Sequence, residues 1–330
     1  MKLTCIFVSA LITVATAAAA QQPTSQMPKA GAWRTKVVLF GTGAPVPDPE
    51  RSGPATAIVV DDSAYLVDIG PGVVRRAKAA VLERGITPLE PANLKVAFVT
   101  HLHSDHTAGY SDLILTGWTA GRCTSLEVYG PAGLQSMTDH ILQAYHIDIE
   151  TRTTSGGDQQ GNPKGWNVNA HEIKPGVIYK DAKITVTAFP TLHAVESYGF
   201  RFDTPDRSIV ISGDTSPTEE TIRACNGCDV LIHEVRTLEL FSNLPEERRS
   251  FGSKNHTTSE QLAALATKAK PRLLIAYHGW IARGPSVVPS GEQPVVLTTG
   301  GFHSSPDAHQ KEIASRYSGH FVIGRDLDVY

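Results

Sequence analysis

The sequence predicts an α/β fold of two mixed β-sheets with helices on their outer faces. Three observations carry that expectation. Short apolar runs rich in β-branched residues recur through both halves of the chain, which is the signature of strands. Segments with helical spacing fall between them, and elements in that alternation pack as layers. The 330 residues are 41% hydrophobic and 19% charged, an ordinary globular balance rather than a disordered or fibrous one.

The elements follow in order. Val37 to Phe40 reads as a buried strand, broken by the turn-rich stretch Gly41-Thr42-Gly43-Ala44-Pro45-Val46-Pro47. Ala57 to Val60 and Ala64 to Asp68 read as two strands joined by Asp61-Asp62-Ser63. Val73 to Glu83 is helical, Leu94 to Val99 a strand, Leu126 to Tyr129 a short strand, and Gly133 to Ile147 an amphipathic helix. Ser155 to Asn169 is polar and glycine-rich, a surface loop. Four strands follow, at Ile184 to Phe189, Tyr198 to Phe202, Ser208 to Ile211 and Val230 to His233. Thr218 to Ala224 and Ser259 to Lys268 are helices, and Leu273 to Tyr277 a strand. The tail from Val295 to Tyr330 reads as a strand, a helix over Pro306 to Tyr317 and a last strand.

The first twenty residues read as an address rather than as part of the fold. Met1-Lys2 precedes an apolar run from Leu3 to Val14, and Ala18-Ala19-Ala20 offers a small-residue cleavage site before Gln21. That is a secretory signal peptide over 1–20, since the apolar run is shorter than the ~20 residues of a spanning helix. The expectation is an exported protein, periplasmic or secreted, with one domain over 21–330 and no membrane association. Three cysteines remain after cleavage. Cys225 and Cys228 either close a small disulfide or pack as thiols, and they lack the second pair of a zinc ribbon.

The chemistry concentrates at strand ends. His101-Leu102-His103-Ser104-Asp105-His106 sets four metal-competent side chains in six residues, directly after a strand. Side chains alternate along extended chain, so His101 and His103 share a face while Asp105 and His106 fall where the chain turns. One ion can take the first pair and a second ion the other. Imidazole and carboxylate suit Zn²⁺, with Mn²⁺ or Fe as alternatives. His193, Asp214 and His278 each follow a later strand and extend the set. His140, His146, His171, His303, His309 and His320 lack that placement and read as surface or packing residues.

The motif His101-x-His103-x-Asp105-His106, preceded by Asp68-Ile69-Gly70-Pro71-Gly72, resembles the metallo-β-lactamase fold superfamily. Gly41-Thr42-Gly43-Ala44-Pro45, Arg51-Ser52-Gly53-Pro54, Leu231-Ile232-His233-Glu234 and Asn255-His256-Thr257-Thr258 are similar to its ribonuclease Z and arylsulfatase-like branch. The resemblance implies an αββα sandwich with two divalent ions at one edge. It assigns His101, His103 and His193 to the first ion, Asp105, His106 and His278 to the second, and Asp214 to both. Asp68 then orients a histidine from behind. His256 becomes a proton donor to the leaving oxygen, supported by His233-Glu234, and Asp105 and His256 are the candidate catalytic residues.

Substrate class is read from what is missing. The formal charge is 30 − 33 = −3, which argues against a general nucleic-acid binder. Ser155 to Gly161 is glycine-rich but carries no cluster of Lys or Arg, so a basic tRNA-clamping arm is not evident. The expectation is therefore a hydrolase of small sulfate or phosphate esters, arylsulfatase- or phosphodiesterase-like, with no nucleic-acid partner. A lactone or β-lactam hydrolase is the alternative, and a ribonuclease Z-type tRNA 3′ endonuclease ranks last. A homodimer stays open.

Overall fold

The computed structural model describes residues 34–242, 244, 246–279, 286–290, 293–297 and 306–330. The leader expected over 1–20, and His303, lie outside these residues.

The first sheet has strand order β1-β2-β3-β4-β5-β6. Its strands are β1 (Thr35–Gly41), β2 (Ala55–Val60), β3 (Ser63–Val67), β4 (Val96–Phe98), β5 (Leu126–Gly130) and β6 (Val168–Glu172). The first three pair antiparallel and the last four parallel. The connections carry α1 (Val73–Arg84), α2 (Ser104–Thr107), α3 (Tyr110–Thr119), α4 (Leu134–Ala144) and α5 (His146–Thr153). The second sheet contains β7 (Gly176–Lys180), β8 (Thr185–Pro190), β9 (Tyr198–Asp203), β10 (Ser208–Ile211), β11 (Val230–Glu234), β12 (Leu273–Tyr277) and β15 (Phe321–Ile323). Its order is β15-β12-β11-β10-β9-β8-β7. Helices α6 (Glu219–Cys225), α7 (Leu238–Ser242), α8 (Glu246–Asn255), α9 (Ser259–Ala269) and α10 (Pro306–Ala314) complete this half. An antiparallel pair, β13 (Ser286–Ser290) and β14 (Gln293–Leu297), precedes α10.

Strand alternation builds three apolar layers. In β1, Val37 and Leu39 face the second sheet while Val38 and Phe40 face the helices over the first. In β12, Leu273, Ile275 and Tyr277 face the first sheet, and Leu274 and Ala276 pack under α9 and α10. The inner strands of each sheet are buried on both faces, which is why they read as near-continuous apolar runs. Phe98 seals the middle layer, with its ring 5.7 Å from Phe200 and 5.4 Å from Phe202. This is the αββα sandwich the sequence implied.

Two local readings need correction. The segment expected as one helix from Gly133 to Ile147 is two, α4 and α5, broken at Tyr145. The loop expected over Ser155 to Asn169 runs into the edge strand β6, and β7 follows at Gly176. Both are edge strands with no fully buried residue, so the contrast between an inner and an outer face that marks a core strand is weak. Of the two alternatives left open at Cys225 and Cys228, the structure shows the disulfide, starting from the last residue of α6. Among the described residues no helix is long and apolar enough to cross a membrane.

Candidate metal centre

Two tight backbone features deliver the first motif. Asp68 follows β3 in the left-handed region, with φ 62°. From there its carboxylate accepts the Thr100 N–H at 2.8 Å and the Thr100 hydroxyl at 3.0 Å, fixing the chain just before His101. The short α2 then turns Asp105 and His106 back toward the end of β4. On the second sheet, Gly213 precedes Asp214 with φ 62°, and a Cβ there would lie 2.7 Å from that of Thr100. Only glycine permits this approach, and it brings the two sheets' strand ends together.

Seven side chains converge at that edge. His101 Nε2 lies 3.0 Å and His193 Nε2 3.1 Å from His103 Nδ1. Beside them, His106 Nε2 is 3.5 Å from Asp105 Oδ2 and 3.3 Å from Asp214 Oδ1. His278 Nε2 is 3.1 Å from Asp214 Oδ1 and 3.6 Å from Asp105 Oδ2. The ligand-capable atoms of His101, His103 and His193 lie within 4.8 Å of one another, as do those of Asp105, His106 and His278. Asp214 stands between the two groups, within the same reach of His101 and His106. Every residue expected at the metal site is thus brought to one place.

The hydrogen bonds show what the inward atoms are for. Four rings are held by their outer nitrogen: His101 Nδ1 at Thr100 Oγ1 (3.0 Å), His106 Nδ1 at Asp68 Oδ2 (2.8 Å), His193 Nδ1 at the Asn255 carbonyl (2.9 Å) and His278 Nδ1 at the Gly43 carbonyl (2.5 Å). With the outer nitrogen protonated, the inner one carries a lone pair. Meanwhile Asp105 Oδ2, His106 Nε2 and Asp214 Oδ1 are buried without a hydrogen-bond partner among the described residues. Buried orphan acceptors are costly unless something fills the space between them. Oxygen and imidazole donors with anchored outer nitrogens fit divalent ions.

The electrostatics differ between the two sides of the site. Burial lowers His101 well below its ordinary pKa and takes His193 down to about 4, which keeps both rings neutral. Burial opposes charge on His106 too, but the Asp68 and Asp214 carboxylates outweigh it and raise that pKa. Asp214 is held well below the carboxylate range despite its burial, because His278 and His106 face it.

His256 borders this cluster, with a ligand-capable atom within 4.8 Å of those of His193 and Asp214. Its Nδ1 is 3.0 Å from both oxygens of the fully buried Glu234. Burial, reinforced by Arg236, lowers His256 to about 3, and burial raises Glu234 well above the carboxylate range. Both groups are therefore pushed toward their neutral forms, with one proton between them. Glu234 also accepts the Thr215 N–H at 2.7 Å, next to Asp214. His233 is different: its Nδ1 bonds the Glu234 backbone carbonyl, and strand alternation turns its ring away. The cleft in front of His256 is also lined by Pro45, from the Gly41-Thr42-Gly43-Ala44-Pro45 motif, and by Leu244, Arg248 and Phe251, residues of α8 and its approach that no sequence signal marked.

Residues 64–279 match the beta-lactamase superfamily domain. The chain belongs to this superfamily and is a metal-dependent hydrolase. It is 31% identical over 297 residues to ribonuclease Z of Mycobacterium bovis, covering 88% of this chain and 96% of that one. Among solved structures it is similar to the short form of human tRNase Z, with 20% identity, TM-score 0.59, and 89% and 98% of the two chains covered. The metallo-beta-lactamase fold protein YhfI of Bacillus subtilis has 18% identity and TM-score 0.61, with 90% and 98% covered.

These relatives overturn the expected substrate class. A small-molecule sulfate or phosphate ester, with a lactone or β-lactam as alternative and no nucleic-acid partner, was expected from net charge and the missing basic arm. Net charge averages the whole surface and does not report the field at one cleft. The likeness spans nearly all of a protein named ribonuclease Z, which contradicts both of those expectations.

Proposed function

We propose that this chain is a ribonuclease of the ribonuclease Z type that cuts a phosphodiester bond in a tRNA precursor. The observation that carries the reading is the 31% identity along 96% of the mycobacterial ribonuclease Z. The site supports it. His101, His103 and His193 would hold one ion and Asp105, His106 and His278 the other, with Asp214 within reach of both sets; zinc would suit this donor set. When bound, such ions lower the pKa of a water to about 7 and polarise a phosphoryl oxygen. Asp68, Thr100, Asn255 and Gly43 keep the four anchored rings in one tautomer. His256 donates a proton to the departing sugar oxygen, and Glu234 resupplies it through Nδ1. The test incubates metal-replete protein with a tRNA precursor bearing a 3′ trailer, with an aryl sulfate in parallel. Endonucleolytic release of the trailer is expected. Intact precursor beside a hydrolysed sulfate ester rejects the reading.

We further propose that the chain is exported after cleavage before Gln21. The composition of residues 1–20 and the Cys225–Cys228 disulfide support it, since disulfides persist in oxidising compartments. N-terminal sequencing of the protein from fractionated cells tests it: a chain starting at Gln21 outside the cytoplasm is expected, and an intact leader in the cytoplasm rejects it.

A further inference from the structure

Asp326 lies far from the motifs in sequence and is aimed at the loop that carries one of them. Its carboxylate is 7% exposed and stands 3.4 Å from the Arg76 guanidinium. Oδ1 accepts the Thr42 N–H at 2.9 Å and the Thr42 hydroxyl at 2.8 Å. Oδ2 accepts the Ser52 N–H at 2.7 Å. Thr42 and Ser52 are the two sides of one narrow loop, closed by the Gly43 N–H donating to the Ser52 carbonyl at 2.8 Å. The next carbonyl, that of Gly43, is the acceptor for His278 Nδ1 at 2.5 Å.

The backbone around these groups ties the same three segments together. Gly324 N–H donates to the Ala276 carbonyl at 2.9 Å, so the chain leaving β15 is anchored beside the end of β12, two residues before His278. Leu327 N–H then donates to the Leu39 carbonyl at 2.7 Å, which seats Asp326 over the exit of β1. His278 is itself in the left-handed region, with φ 55°. Its ring therefore depends on an outside acceptor to hold its direction more than a ring on regular strand would.

We propose that Asp326 is a positioning residue for the metal centre: by clamping Thr42 and Ser52 it fixes the Gly43 carbonyl that aims His278 Nε2 at the Asp105–His106 side of the site. Without the carboxylate, the Thr42 N–H, the Thr42 hydroxyl and the Ser52 N–H lose their acceptor in a buried place. The loop then relaxes toward water, and the Gly43 carbonyl moves with it. The inference rests on the metal reading of the site but not on the identity of the substrate.

The experiment uses the full chain, stripped with a chelator and titrated with Zn²⁺ alone against a competing chelator. Three variants are compared: Asp326→Ala, Asp326→Asn, and Asp328→Ala as a control. Asp328 belongs to the same tail and caps Arg325 N–H at 2.9 Å without reaching the loop. Wild type should bind in two phases. Asp326→Ala should weaken one phase about tenfold, the lower end of what groups behind a ligand are worth, and leave the other unchanged. Asp326→Asn keeps one acceptor oxygen and should fall between; it also serves if the alanine variant does not fold. Asp328→Ala should match wild type in both phases even where its melting temperature falls. Both phases unchanged in the Asp326 variants, or weakened alike in Asp326 and Asp328 variants, overturns the proposal. A wild type that binds no zinc rejects the metal reading itself. A wild type that binds zinc but cuts no RNA rejects only the ribonuclease reading.

Discussion

His256 and Asp214 are both buried and only 3.7 Å apart, yet their loss should be felt in different quantities. Asp214 faces His106 and His278 with an orphaned oxygen. Asp214→Ala, or His103→Ala at the neighbouring cluster, should abolish cleavage and lower bound metal, read by elemental analysis; full activity with full metal would mean the site is misplaced. His256 pairs instead with Glu234. His256→Ala should keep its metal and slow RNA cleavage by about 10² to 10⁴, the usual span for general acid catalysis. A phosphodiester with a nitrophenolate leaving group, used only as a probe, departs without a proton and should slow far less. Equal slowing of both would show that His256 holds structure rather than donates. The ligand set was legible because each member closes a strand, and the first motif packs four of them into six positions. Asp326 was not, because its partners lie 274 and 284 residues away, and no local pattern encodes a contact of that separation.

At the scale of elements, legibility followed burial. Strands buried on both faces, such as β2 and β12, announce themselves as apolar runs. The edge strands β6 and β7 do not. Helix α8 is Glu246-Glu247-Arg248-Arg249-Ser250-Phe251 and onward, polar nearly all round with only Gly252 and Asn255 buried, so periodicity had nothing to report. It nonetheless supplies Arg248 and Phe251 to the cleft and the Asn255 carbonyl to His193. Helix α9 was readable from its start. Thr258 accepts the Gln261 N–H, and Gln261 returns a bond to the Thr258 N–H at 2.9 Å, a complete capping box. Thr258→Ala should cost about 1 kcal/mol, seen as a lower urea midpoint with an unchanged slope. Because His256 is held by Glu234 rather than by this cap, RNA cleavage by the folded variant should stay near wild type. A loss of activity larger than the loss of folded protein would instead tie α9 directly to the donor.

The two sheets of the molecule meet in two chemically different ways. Across the middle layer the contact is apolar, centred on Phe98 against Phe200 and Phe202. Phe98→Ala should cost about 3–5 kcal/mol, as large-to-small changes in packed cores do. At the edge the contact is the ligand cluster, and its members divide between the sheets. His101, His103, Asp105 and His106 follow β4 of the first sheet, while His193, Asp214 and His278 follow β8, β10 and β12 of the second. An ion bound by both sets would be a cross-sheet staple that favours the native state over the unfolded chain. At about a thousand times its dissociation constant, one such ion stabilises the fold by about 4 kcal/mol. Chelation should therefore lower the melting temperature by several degrees, and excess Zn²⁺ should restore it. The same treatment of Asp214→Ala should shift it much less, since the residue facing both groups is gone. The Phe98→Ala variant should respond to chelation as fully as wild type, because the apolar layer and the staple act at separate places and their effects add. If chelation leaves the wild-type melting temperature where it was, the cluster does not join the sheets through a metal, and its orphaned oxygens need another explanation.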